Sequence, residues 1–154
     1  MMGLRIFLIA IFLTGAVSCY AFDYEGVKTG SKLSSLPKGA FQCAPMRFDP
    51  KDQKICTKNN PGKVFGVQPS KVELGYKNDL LYIIFIGFRP ADFNTVNASL
   101  EQKYGRPTTK KQLLKGVYQY VWQRGETELV LNKDEKRQEA DVTMYDYKAG
   151  GIKE

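Results

Sequence analysis

Cysteines are the first residues in this chain whose type and spacing could do chemistry, and Cys43 and Cys56 form the natural pair. The remaining one, Cys19, falls in an apolar N-terminal stretch with the order of a secretory leader; its removal or lipidation leaves an even pair. In an oxidising compartment such a pair reads as a disulfide. The segment between them, APMRFDPKDQKI, holds Pro45 and Pro50 with turn-forming Asp49 and Asp52, and has little power to fix its own shape. A bridge would staple that loop and add roughly 3 kcal/mol through the unfolded state. Redox-active pairs sit much closer, as C-x-x-C.

The chain has no histidine. That removes the commonest general base, the Ser-His-acid and Cys-His arrangements, and nearly every catalytic zinc site. Carboxylates, lysines and tyrosines are what remain. Asp134 with Glu135, or Glu126 with Glu128, supply the paired acids that glycoside hydrolysis uses. They stand in charged, turn-like sequence where a solvated face is the simpler role. No glycine-rich phosphate loop or calcium-loop spacing is visible. The expectation is a protein without catalytic residues, metal or cofactor, with a small carboxylate-dependent cell-wall hydrolase as the alternative.

Two groups of side chains suit binding better than catalysis. Lys103, Arg106, Lys110, Lys111 and Lys115 crowd one stretch with no acid from Lys103 to Lys115, in a chain of net charge +7. They read either as a solvated connection or as a patch for an anionic surface. Tyr118, Tyr120 and Trp122 alternate along a strand, with Tyr82 expected as a neighbour, and combine contact area with polar handles. Nucleic acid is a poor fit, since no motif for it appears.

These residues need elements to position them. The stretch from Phe22 to Leu36 reads as a loosely attached arm, Ala40–Cys43 as a short strand, and Val64–Val67 as a short edge strand. Val72, Leu74 and Tyr76 alternate with Lys71, Glu73 and Gly75, the period of a half-buried strand, and Lys77-Asn78-Asp79 supplies a turn. The return strand, LLYIIFIGF, is apolar on both faces: Leu80, Tyr82, Ile84, Ile86 and Phe88 one way, Leu81, Ile83 and Phe85 the other. A helix follows, opened by Pro90 and Asp92, striped with Phe93, Val96, Leu100 and Tyr104, and ended by Gly105 and Pro107. Strands over 117–123, 128–132 and 140–145 complete the pattern, and the chain from Ala149 reads as a flexible tail. The expected fold class is α+β: one antiparallel sheet of about five to six strands over residues 22–148, with one main helix packed on one face. One helix cannot cover both faces. Either the arm and the disulfide loop close the second face, or that face binds something.

Residues 1–21, MMGLRIFLIAIFLTGAVSCYA, place one basic residue before a short apolar run and small residues after it. The run is too short to span a bilayer, which takes about 20 apolar residues. Cleavage after Ala21 competes with lipidation at Cys19, where Ala16-Val17-Ser18-Cys19 is similar to a lipobox. The segment F-x-x-V-x-x-x-L-x-x-K-Y-G-x-P, Phe93 through Pro107, resembles one in small exported bacterial envelope proteins of unknown function. The resemblance implies a bacterial envelope setting and carries over no catalytic residue. The function expected is that of an exported, non-enzymatic binding or interaction protein, an accessory or inhibitor, periplasmic or secreted. Its partner would be another envelope protein or an anionic envelope surface.

Overall fold

The computed structural model describes residues 22–47 and 53–151. Residues 1–21 with Cys19, and Asp49, Pro50 and Asp52 of the disulfide loop, lie outside them. A small ribbon of β1 (Asp23–Tyr24) and β2 (Val27–Lys28) precedes the main sheet. That sheet has eight strands, not the five to six expected. They are β3 (Phe41–Pro45), β4 (Gln53–Lys58), β5 (Lys71–Lys77), β6 (Leu80–Phe88), β7 (Thr109–Leu114), β8 (Val117–Arg124), β9 (Thr127–Asp134) and β10 (Glu139–Asp146). The order across the sheet is β3-β4-β5-β6-β10-β9-β8-β7, antiparallel throughout. Helix α1 (Phe93–Tyr104) joins β6 to β7, and a helical turn, α2 (Tyr147–Gly150), follows β10.

The additional strands were hidden for physical reasons. Strand β7 is an edge strand of threonine, lysine and glutamine ending in leucines, exposed along most of its length, so it lacks a buried period. Strand β4 carries the second cysteine and follows a proline- and aspartate-rich stretch whose turn signals hide its start. Conversely, Val64–Val67 is not a strand of the sheet. It is a tight turn in which the two valines exchange backbone hydrogen bonds at 2.8 and 3.0 Å, with Phe65 and Gly66 both at positive φ. Asn78 and Asp79 likewise turn β5 into β6 at positive φ.

The strand apolar on both sides sits in the middle of the sheet, as its pattern requires, but its faces are not the simple alternation. Tyr76 pairs with Leu81 while Gly75 pairs with Ile83, so Tyr82 is an extra residue, a β-bulge. The bulge turns Leu81 onto the same face as Ile84, Ile86 and Phe88, which it would otherwise oppose. Cross-strand register then groups these four with Val72, Leu74, Tyr76, Ala140, Val142, Met144, Leu129, Leu131 and Trp122. All are buried in one cluster with Phe93, Val96 and Leu100 of α1. Gly105, at φ 81°, ends the helix as expected.

The N-terminal arm is not loosely attached. Phe22 and Tyr24 are buried, the Phe22 ring meets Tyr104 edge-on at 5.1 Å, and Arg124 lies 5.6 Å from the Phe22 centroid. Gly30 N–H donates to Leu81 O at 2.7 Å and Leu81 N–H donates to Ser31 O at 2.8 Å, tying the arm to the start of β6. The arm thus joins α1 on the same face. The chain from Ala149, expected as a flexible tail, begins inside α2, where the Asp146 carboxylate accepts from Ala149 N–H at 2.9 Å and Lys77 Nζ donates to Gly150 O.

Candidate functional site

The expected aromatic cluster is divided between the two faces. Trp122 is 2 % exposed on the covered face, and its indole N–H donates to Gly105 O at 2.7 Å, latching β8 to the end of α1. Tyr118 and Tyr120 flank the Phe93 ring at 6.4 and 5.3 Å. Lys133 stands 5.5 Å over Tyr118, and Lys110 stands 4.9 Å over Tyr120. These three aromatics support the helix. Tyr82 lies on the opposite face, where its hydroxyl donates to Gln53 Oε1 at 3.3 Å.

The five cations are also dispersed. Lys103 pairs with Asp23 at 2.9 Å; burial works against its ammonium, but hydrogen bonds with Tyr104 and Asp23 outweigh that and raise its pKa. Lys110 pairs with Glu101 at 2.7 Å and, with Asn97, holds the Glu101 carboxyl below its ordinary range. Arg106 is exposed beyond the helix. Lys111 points from β7 toward the uncovered face, and Lys115 sits exposed in the β7–β8 turn. Among the described residues neither Lys111 nor Lys115 has an ion-pair partner. The acid pairs hold turns and strand ends: Asp134 accepts from the backbone N–H groups of Lys136 and Arg137, Glu135 pairs with Lys133, and Glu128 accepts from the Tyr147 hydroxyl. Among the described residues no group of three or more His, Cys, Asp or Glu side chains could hold a metal ion.

Cys43 and Cys56 are bonded, S–S 2.02 Å, as a directly opposed pair between β3 and β4. The bridge pins the outermost strand to its neighbour, and Cys56 is fully buried while Cys43 is exposed. Such a bond belongs in an oxidising, non-cytoplasmic setting.

The uncovered face of the sheet has the more informative chemistry. An antiparallel sheet with one solvated side normally turns polar residues outward. Here Ile55, Tyr82, Ile83, Phe85, Val121 and Tyr145 lie half-buried on that side, with Val130 6 % exposed yet outside the main core cluster. A polar ladder runs along one border of them. Gln119 Nε2 donates to Asn132 Oδ1 at 3.2 Å, Asn132 Nδ2 to Asp141 Oδ2 at 3.1 Å, and Thr143 Oγ1 to the same oxygen at 2.8 Å. Burial pushes the Asp141 carboxyl above its ordinary 3.8, against the two hydrogen bonds that favour its charge. The phenol of Tyr145 is raised too, by burial first and then by Asp141 and Glu128. At one border Tyr147 stacks on Tyr145 at 6.2 Å. The sequence carried a signal for this surface, since Val117, Gln119, Val121 and Gln123 alternate with the aromatic row. Only the register shows which of the two sets the helix covers.

Architecturally this is an α+β protein built on one broad antiparallel sheet, with one face packed and one half-open. Residues 50–149 match the TP0088 domain, and the chain belongs to that family. The match runs from β4 into α2; the arm, β3 and Cys43 precede it, so the disulfide binds a preceding strand to the family domain. No curated protein and no solved structure matches the chain.

Proposed function

We propose that this chain is an exported, non-catalytic interaction domain of the bacterial envelope, and that its open sheet face receives a partner protein. The observation that carries the reading is the cluster of half-buried apolar side chains, Ile55, Ile83, Phe85, Val121 and Tyr145, on a face that α1 and the arm leave uncovered. An apolar patch bordered by the hydrogen-bonded Gln119–Asn132–Asp141 ladder has the make-up of an interface core with polar groups to set register. The disulfide and the leader-like residues 1–21 support export. An accessory subunit and an inhibitor of another envelope protein are two forms of the same activity. Cleavage after Ala21 frees the domain, whereas lipidation at Cys19 tethers it; mass analysis of the N-terminus distinguishes them.

Site-specific photocrosslinking tests the partner. A crosslinker at Gln119 should trap one envelope protein, and the adduct should vanish when Phe85→Asp is added to a chain that still folds. A crosslinker at exposed Asn94, on the outer side of α1, should trap nothing comparable. Equal trapping from both positions, or an adduct insensitive to Phe85→Asp, defeats the proposal.

A further inference from the structure

We propose that the tip of the β7–β8 hairpin docks on an anionic phospholipid bilayer, with Leu113 and Leu114 entering the apolar layer and Lys111 and Lys115 engaging the headgroups. This does not depend on the open-face reading. Among the described residues these two leucines are the large hydrophobic side chains left exposed, at 51 % and 71 %. Their exposure follows from the backbone. The register shifts between Gln112 and Leu114, so Leu113 has no cross-strand partner and both leucines leave the packed surface. Next to them the chain turns through Lys115 and Gly116, the glycine at φ 80°.

Charge at this end of the sheet selects the occupant. The neighbouring β9–β10 turn is bonded to the hairpin through Glu135 N–H and Gly116 O, at 2.9 Å. Of the acids at this turn, Glu135 is matched by Lys133 and Asp134 by Arg137, while Glu139, opposite Asp134, has no ion-pair partner among the described residues. Lys111, Lys115 and Lys136 have no such partner among the described residues, so the end of the sheet beside the two leucines keeps a net positive charge. A convex apolar tip beside these cations matches a layer that is apolar within and anionic at its surface. A wall polymer or a nucleic acid offers the charge but nothing for the leucines.

The location also makes the test specific. Phe22 lies beside Arg124, at the far end of the eight-residue strand β8 from the tip, which is about 25 Å of extended chain. Lipid binding through the N-terminal segment therefore does not by itself immerse the tip. The full chain carrying Leu114→Trp is titrated with vesicles of phosphatidylglycerol and phosphatidylcholine in equal parts, against wild type to subtract buried Trp122. The expected result is a blue-shifted, enhanced emission that lipids brominated along their acyl chains quench. Adding Lys111→Glu and Lys115→Glu should weaken the apparent affinity at least about tenfold, and about 1 M salt, where the Debye length is roughly 3 Å, should do the same. No shift overturns the proposal, as does an equal shift with phosphatidylcholine alone or one indifferent to charge reversal. A shift that needs no lipid and grows with protein concentration assigns the leucines to self-association and overturns it as well.

Discussion

At the scale of single residues, side chains expected to bind turn out to hold the helix, and Trp122 shows why. Its alternation with Tyr118 and Tyr120 puts the three on one face, but alternation is symmetric and does not say which side a helix will occupy. The indole fills the core and bonds Gly105 O. Trp122→Phe should therefore cost about 1 kcal/mol for the lost hydrogen bond plus a small packing loss. Trp122→Ala should cost about 3–5 kcal/mol. Urea unfolding followed by circular dichroism separates the two. On the other face, Asp141 makes a prediction whose sign depends on burial. Its folded pKa lies above its ordinary 3.8, so the folded state holds the proton more tightly than the unfolded chain. The resulting stabilisation is complete below 3.8 and is lost as pH rises through the elevated value. Asp141→Asn keeps an oxygen for Thr143 and Asn132 but cannot titrate. The stability of wild type relative to Asp141→Asn should fall from about pH 3 to about pH 7; a difference independent of pH would disprove the shift.

Elements were legible where burial stamped a period on them. Helix α1 and strands β5, β6, β8, β9 and β10 each present apolar residues at the spacing of their backbone, and each was visible in the sequence. Strand β7 was not, because an exposed edge buries neither side, and β4 is obscured by the two prolines that precede it. The bulge at Tyr82 was invisible for another reason: it is a property of two strands in register, and no single strand records it. The partner side of that bulge is Gly75, where an added Cβ would run into Ile83 Cγ2 and approach the Tyr82 ring at 3.3 Å. Gly75→Ala should destabilise the protein by about 1–3 kcal/mol through overpacking, whereas Gly62→Ala, with nothing near its Cβ, should change little. The disulfide acts at the same scale. Replacing both Cys43 and Cys56 with Ser should remove roughly 3 kcal/mol. Amide exchange should then rise first in β3, which has β4 as its only neighbour in the sheet.

For the molecule as a whole, the arrangement is asymmetric. The arm, the Val64–Val67 turn and α1 all gather on one face, so burial is concentrated there and the other face is left with apolar residues only partly withdrawn from water. That asymmetry could not be read from composition, since the arm had two faces to choose from and its short strands carry no strong period. Burial decides it: Phe22, Tyr24, Val64 and Val67 belong to the same cluster as Leu131 and Val142. Stability should follow the same division. Leu131→Ala, in the packed layer, should cost about 2–5 kcal/mol. Phe85→Ser, on the open side, deletes a larger side chain and yet should cost less than a change in the packed layer, because its ring is only partly buried in the isolated protein. If the two changes cost the same in denaturant unfolding, Phe85 is sealed within the monomer and the open face is not available to any partner. If Phe85→Ser is mild in isolation but abolishes the Gln119 photocrosslink, the burial missing from the free molecule is supplied by its complex.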